Sequence, residues 1–345
     1  MKHSPILTIG IPTFNRCSAL DRTLGELAYQ IEAIPGARIE VLVSDNCSTD
    51  NTEIVVRRWI DGCSSLAIRH IKNSSNIGFD ANCHNLFLHS SANLVWLLSD
   101  DDFLQPNAIN KVYRMLESAP EIKFAFVNYD IKVNGALGVS GCRCSESKKI
   151  PGLDVLELTG FAFSFVSSCI FNRDSWIAAE PERYFGTFWI HMYVARDILI
   201  AGNALLIAEP LITMNGLGLL ASRMEKRSVN TGIDFYVAAH MKFVEYACSL
   251  QSCGYGGHVS QFAKQLAWGN NLRQIIYFKS TASEYRLPQL MAITRLMSKY
   301  FKMRPLFWLV HIPVLFSPNK IISFLYFKLL TSYKKIKSAV HKKRY

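Results

Sequence analysis

Three consecutive carboxylates, Asp100, Asp101 and Asp102, follow directly on the apolar run Trp96-Leu97-Leu98 and Ser99, and Pro106 stands just beyond them. Like charges at the end of a buried strand repel one another and resist leaving water, so they call for a compensating cation. A hard divalent ion such as Mg2+ or Mn2+, carrying phosphate oxygens on its other side, meets that demand. Helix capping, the plainer reading of an acidic loop, accounts for one aspartate but poorly for three in a row.

Three further polar clusters interrupt apolar segments. Ile11-Pro12-Thr13-Phe14-Asn15-Arg16 offers two short hydrogen-bonding side chains and a guanidinium suited to a phosphate or a base edge. A turn before a helix is its alternative reading. In Ser44-Asp45-Asn46-Cys47-Ser48-Thr49-Asp50, Ser48 or Thr49 suits a helix cap, but Asp45 comes before the cap and directly after Val41–Val43. A carboxylate there needs a partner, such as a pyrimidine imide N–H or a ribose hydroxyl. Asn76-Ile77-Gly78-Phe79-Asp80 leads into Asn82 and Asn85, and Asn76 with Gly78 suits a tight turn.

The elements that must position these residues alternate. Ile6–Ile11, Ile39–Val43, Ala67–Ile71, Leu94–Leu98 and Lys123–Asn128 read as strands, with helical patterns at Ser18–Glu32, Thr52–Asp61, Ala81–His89 and Asn107–Ser118. Continuous apolar strands separated by helices predict an α/β, mainly parallel sheet with helices on both faces. Ligands of such sheets bind beyond the carboxyl ends of the strands, where each cluster falls. Further on, residues 135–151 read as a surface excursion, Phe161–Phe171 as a strand, Ile190–Ile200 as a helix and Ala204–Ala208 as a strand. From Ile233 to Tyr300 the pattern is helical, broken at Gly254, Gly256 and Gly257.

Taken together, the four clusters resemble the family 2 glycosyltransferases, which have the GT-A nucleotide-sugar-binding fold. The resemblance covers residues 4–215, most strongly the first 130, and points to bacterial O-antigen enzymes of the abequosyltransferase type. It implies a nucleotide-sugar site of Pro12, Thr13, Asn15, Arg16, Asp45, Asn46, Asn76, Gly78, Asp100 and Asp101, with Thr13, Asn15 and Asp45 on the nucleoside. It gives the metal to Asp101 and Asp102. Two departures stand out. Ser99 occupies the first position of the family's Asp-x-Asp-Asp run, and Asn46 replaces a frequent second aspartate. Inverting members place an acidic base at the start of a later helix; here Phe185-Gly186-Thr187-Phe188-Trp189-Ile190 has none, and His191 stands in its place as base or metal ligand. Asp197 is the reserve base, with a salt bridge to Arg196 as its alternative. Phe165, Ser167, Ser168, Trp176, Phe188 and Trp189 are candidates for an acceptor platform, or simply core. The rival readings are a nucleotidyltransferase, disfavoured because Ile11–Arg16 has no glycine, and a non-catalytic nucleotide-sugar-binding module.

The 345 residues are 50% hydrophobic and 19% charged, enough for a sizeable core. Nine cysteines show no C-x-x-C pair; Cys142 and Cys144 are the closest, and reduced thiols are expected. Met1-Lys2-His3-Ser4-Pro5 shows no secretory pattern. The net charge of +11 is localised. After Glu284 there is no Asp or Glu, while thirteen Lys and Arg fall between Arg286 and Arg344, so the first 284 residues carry a net of −2. Pro305–Phe316 and Ile321–Leu330 are apolar but shorter than the ~20 residues a membrane span needs. On a helical wheel Ile322, Leu325, Tyr326, Leu329, Tyr333, Ile336 and Val340 share a face opposite Lys328, Lys334 and Lys335, before Lys342-Lys343-Arg344. That pattern predicts an interfacial helix on an anionic membrane rather than a nucleic-acid tail. The expected domains are 1–215, 216–303 and a membrane-associating tail over 304–345. The expected location is the cytoplasmic face of the plasma membrane, with a polyprenyl-linked oligosaccharide as acceptor.

Overall fold

The computed structural model describes residues 4–63, 66–133, 136–142, 144–215, 232–281, 287–318 and 321. The chain forms two compact units: Met1–Lys226 with Ser252–Tyr255, and Arg227–Gln251 with Gly256–Tyr345.

In the first unit, β1 (Leu7–Thr13), β2 (Ile39–Asp45), β3 (Ile68–Lys72) and β4 (Leu94–Leu97) alternate with α1 (Cys17–Glu32), α2 (Thr52–Gly62) and α3 (Phe79–His89). β5 (Phe103–Leu104), α4 (Ala108–Glu117), β6 (Phe124–Val133), β7 (Ala136–Ser140), β8 (Lys148–Pro151) and α5 (Gly152–Thr159) follow. β9 (Cys169–Asn172), α6 (Arg173–Ala178), α7 (Ile190–Leu199) and β10 (Asn203–Asn215) complete the unit. The strands form one sheet in the order β3-β2-β1-β4-β9-β6-β10-β5, with β7 on β6 and β8 on β10. β1 is parallel to both β2 and β4, and β6 is parallel to β10; β9 runs antiparallel between β4 and β6.

The order explains the layers. The crossovers β1-α1-β2 and β2-α2-β3 step one way along the sheet, whereas β3-α3-β4 steps back past β1. Accordingly α1 packs with α2 and α4, while α3 packs on β1 and β2 and against α6. β1 and β2 are covered on both faces, which is why they read as nearly unbroken apolar runs. Gly10 is where α3 approaches β1 most closely: a Cβ there would stand 3.1 Å from Leu86 Cδ1.

The expected strand Phe161–Phe171 is corrected: two 3-10 turns, Ala162–Ser164 and Val166–Ser168, precede a shorter β9. Ser168 Oγ donates to Phe165 O at 2.6 Å, bonding the backbone locally where a strand would need it for a ladder. Residues 135–151, expected as a surface excursion, include β7 and β8, which extend the sheet. β10 runs beyond Ala208 to Asn215, passing Pro210 at a register shift between Ile207 and Ile212. Cys142 and Cys144 are joined by a disulfide, a correction to the reduced pair expected.

The second unit is helical: α8 (Gly232–Ser249), α9 (Gly257–Thr281), α10 (Leu287–Phe301), a π-helical turn Phe307–His311 and α11 (Ile312–Phe316). Gly254, at φ +92°, stands in the connection between α8 and α9. Among the described residues no helix is long and apolar enough to cross a membrane. The amphipathic pattern over 322–345 lies outside the described residues.

Trp176 closes the core between α3 and β9. It is fully buried, stacked on Phe87 with centroids 3.8 Å apart, edge-on to Phe171, and donates from Nε1 to His84 Nδ1 at 3.1 Å. That corrects its candidacy for an acceptor platform, as burial does for Phe165, Ser167 and Ser168. A Trp176→Ala variant is expected to lose about 3–5 kcal/mol of stability, measured as a lower midpoint in urea unfolding.

Candidate active site

Parallel pairing brings the carboxyl ends of β1, β2 and β4 together. Thr13 lies opposite Asp45, and Leu98 N bonds to Gly10 O at 2.9 Å as β4 ends. Beyond that point Thr13 Oγ1 donates to Asp100 Oδ2 at 2.7 Å. Arg16 Nη1 lies 3.2 Å from Asp100 Oδ1, and Nη2 is ion-paired with Asp101. Thr23 Oγ1, in the second turn of α1, donates to Asp100 O at 3.0 Å. Ser99 Oγ donates to Asp101 Oδ1 at 2.6 Å, and Ser167 Oγ to Asp102 Oδ2 at 2.5 Å. Asp100 and Asp102 are 2% and 3% exposed, so these are buried charges held by named donors. Burial works against the Arg16 charge, but the three carboxylates outweigh it and hold the guanidinium's pKa above its ordinary value. The four residues Thr13, Arg16, Asp100 and Asp101 therefore form one constellation.

At the end of β2, Asn15 is a tie. Its backbone N donates to Ser48 Oγ at 2.8 Å and its side-chain oxygen accepts from Thr49 N at 2.7 Å, with φ at +54°. Asp45 Oδ1 accepts from Ser48 N at 2.9 Å. Asp45 Oδ2 is buried with no hydrogen-bond partner among the described residues, 3.9 Å from the equally unpartnered His70 Nε2. Burial pulls the His70 pKa down, although Asp45 pulls it up. Asn46 donates to Asn76 Oδ1 at 2.9 Å and accepts from Ile77 N at 2.9 Å. Asn73 and Asn82 extend this amide network to Ser44, and Gly78, at φ +85°, opens α3. Pro12 pairs with Ser44 along the β1–β2 ladder.

The segment before α7 is held by a residue the sequence reading passed over. Asp80, buried in the first turn of α3, accepts from Phe188 N at 2.8 Å and Ile190 N at 3.3 Å. Gly186 and Phe188 sit at φ +81° and +64°, a path that side chains disfavour and that Asp80 stabilises. Burial raises the Asp80 pKa against the pull of those backbone donors. A buried carboxylate at a helix start is legible as a cap, but its partners lie more than a hundred positions away. Ser167 likewise reaches Asp102 across the sheet with no local signal.

The two expected bases are placed differently from expectation. His191 is 2% exposed; Nε2 lies 3.0 Å from Ser164 O, Nδ1 is enclosed, and burial takes the pKa down to about 4. An imidazole so enclosed has the setting of a packing residue, with neither nitrogen open to solvent. Asp197 accepts from Arg183 Nη2 at 2.8 Å and from Arg196 Nε at 2.8 Å, and also bonds the Tyr184 hydroxyl. Two guanidinium partners make it an ion-pair hub and correct its reserve role as base.

The donor chemistry of Asp100–Asp102 fits a hard divalent cation: all-oxygen ligands with more negative charge than Arg16 offsets. Among the described residues no three His, Cys, Asp or Glu side chains converge as a closed cage. Mg2+ is commonly held by one or two carboxylates together with substrate phosphates, so an open arrangement suits it. Within the run Asp102 accepts from the Ser167 hydroxyl, whereas Asp101 is ion-paired with Arg16.

Residues 8–165 match the family model for glycosyl transferase family 2. Over 230 residues the chain is 26% identical to abequosyltransferase RfbV of Salmonella typhimurium, covering 61% of this chain and 67% of that one. It is also 26% identical over 205 residues to the GalNAc(5)-diNAcBac-PP-undecaprenol beta-1,3-glucosyltransferase of Campylobacter jejuni, covering 57% of this chain and 62% of that one. The fold is similar to that of S. aureus TarS 1-349 in complex with UDP-GlcNAc, with TM-score 0.61 and 13% identity over 90% of this chain and 83% of that one. Four strand-end clusters in one sheet and the family match over the same residues agree: residues 8–165 are a glycosyl transferase family 2 domain of GT-A fold, and the chain is a glycosyltransferase.

Proposed function

We propose that the chain moves a sugar from a nucleotide-sugar donor to a lipid-linked oligosaccharide, in the assembly of an O-antigen-type surface polysaccharide. The observation that carries the reading is the joined constellation of Thr13, Arg16 and Asp100–Asp102 beside Asp45, whose buried Oδ2 has no hydrogen bond among the described residues. One end receives a diphosphate and its cation, the other a nucleoside N–H or ribose hydroxyl. The relatives named above, one acting on an undecaprenol-linked substrate, support a lipid-linked acceptor and a peripheral membrane location.

Mg2+ or Mn2+, when bound at Asp102 and Asp101, supplies charge neutralisation for the leaving diphosphate. The chain's own residues do the rest. Arg16 lies where a guanidinium offsets phosphate charge, and Thr13 orients the Asp100 carboxylate by donating to it. Asn15 fixes the β1 end against the β2 end, so that nucleoside and diphosphate contacts keep their spacing. Asp80 holds the backbone of residues 186–190, where Phe188 and Trp189 are the half-buried aromatics left for an acceptor surface.

Thermal-shift titration with UDP-, GDP-, CDP- and dTDP-sugars in Mn2+ tests the donor class. The true donor at a hundredfold excess over its Kd is expected to stabilise the fold by about 2.7 kcal/mol, and absence of any shift speaks against a nucleotide-sugar site. Asp102→Ala is expected to lower metal-dependent donor turnover by about a hundredfold or more with the fold intact; unchanged turnover sinks the metal assignment. For His191 the sign follows from its depressed pKa. The unfolded chain takes up a proton near pH 6.5 and the folded chain only near 4, so stability is full above 6.5 and falls as pH drops towards 4. The loss attributable to this residue is up to about 3 kcal/mol, and His191→Gln is expected to flatten that part of the Tm–pH curve while retaining sugar transfer.

A further inference from the structure

After α10 ends at Phe301, the chain turns through residues 302–306 into the π-helical turn. Its inward positions, Phe301, Phe307, His311 and Leu315, are at most 4% exposed. The outward positions are apolar as well: Met303 is 86% exposed, Leu309 72%, Leu306 57% and Trp308 48%. Single exposed apolar residues are ordinary, but four within seven positions make a patch that needs a partner. Trp308 Nε1 donates to Lys302 O at 2.9 Å, which closes the turn and keeps the indole at its rim.

The charge around the patch is mainly of one sign, with Glu245 of α8 the carboxylate that acts on Lys299. Lys299, Lys302 and Arg304 are exposed, and no Asp or Glu occurs after Glu284. Arg304 also lines a cleft of about 640 Å3 with Lys264, Gln251, Gln261 and Gln265. Its guanidinium lies over the Trp268 ring, 5.0 Å from the centroid, and neither Arg304 nor Lys264 forms a salt bridge among the described residues. Of the carboxylates in this unit, Glu245 is paired with Lys242 at 3.1 Å. A cleft with two cations and three amide side chains is built for a phosphate group, and its arginine lies between Met303 and Leu306 of the apolar turn.

We propose that this face is a docking surface for an anionic lipid bilayer, with the Met303–Leu309 turn in the interfacial layer and Lys264 and Arg304 on a lipid phosphate. An indole at the rim, aliphatic side chains at the tip and an excess of positive charge together match a membrane interface. The inference deepens the lipid-linked acceptor reading, on which it relies only for the presence of a membrane.

The test is flotation of the full chain with phosphatidylcholine vesicles, with and without phosphatidylglycerol. Binding is expected to require phosphatidylglycerol. Lys264→Gln with Arg304→Gln should weaken it about fivefold per charge removed. Met303→Ser with Leu309→Ser, at exposed positions and so without effect on the melting temperature, should abolish it. Wild-type chain that fails to bind, or that binds neutral vesicles equally well, overturns the proposal. So does undiminished binding by both variants, which would assign docking to residues 322–345. Nucleotide release from the donor, measured on the same preparations without vesicles, separates the two readings. Vesicle binding without donor turnover overturns the transferase reading alone, and donor turnover without vesicle binding overturns the docking surface alone.

Discussion

The negative charge gathered at the end of β4 is the constraint around which the first unit is arranged. Buried carboxylates cost several kcal/mol each unless hydrogen-bonded or paired, so neighbouring elements must supply donors. β1 brings Thr13, the turn after it Arg16, α1 brings Thr23, and the 3-10 turn before β9 brings Ser167. No single element could do this. The central place of β1, parallel to β2 on one side and β4 on the other, brings those groups to the same end of the sheet.

The two ends of the site differ in how they manage polarity. The end at β4, proposed for the diphosphate, is charged, with a guanidinium among three carboxylates. The end at β2, proposed for the nucleoside, carries Asp45 and is otherwise built largely from amides. Asn46, Asn73 and Asn82 each both donate and accept, Asn76 accepts and Asn85 donates, so they satisfy one another without adding charge. This ties β2 to α3 through side chains rather than through a ladder.

What the sequence revealed depended on how local each signal was. β1, β2 and β4 were legible because burial on both faces leaves unbroken apolar runs, and the polar clusters were legible because each ends such a run. Phe161–Phe171 misled because a serine-interrupted aromatic run has the composition of a strand, while Ser168 bonds its own neighbourhood. β10 outran its expected end because Pro210 is absorbed in a register shift that only the partner strand reveals. His191 occupies the expected position along the chain, yet its enclosure comes from Ser164 and the core around it, which no spacing announces. Asp80 and Ser167 went unrecognised for the same reason: their partners lie far off in sequence.

The grip of Asp80 on residues 186–190 is made through main-chain N–H groups, and this has an evolutionary consequence. A loop held by its side chains must conserve them to keep its shape. A loop held by its backbone leaves those side chains at liberty, apart from the positive-φ requirement at Gly186 and Phe188. Residues 186–190 can therefore exchange one side chain for another while their path stays anchored to the first turn of α3. If they meet the acceptor as proposed, acceptor preference can drift without disturbing the strand ends.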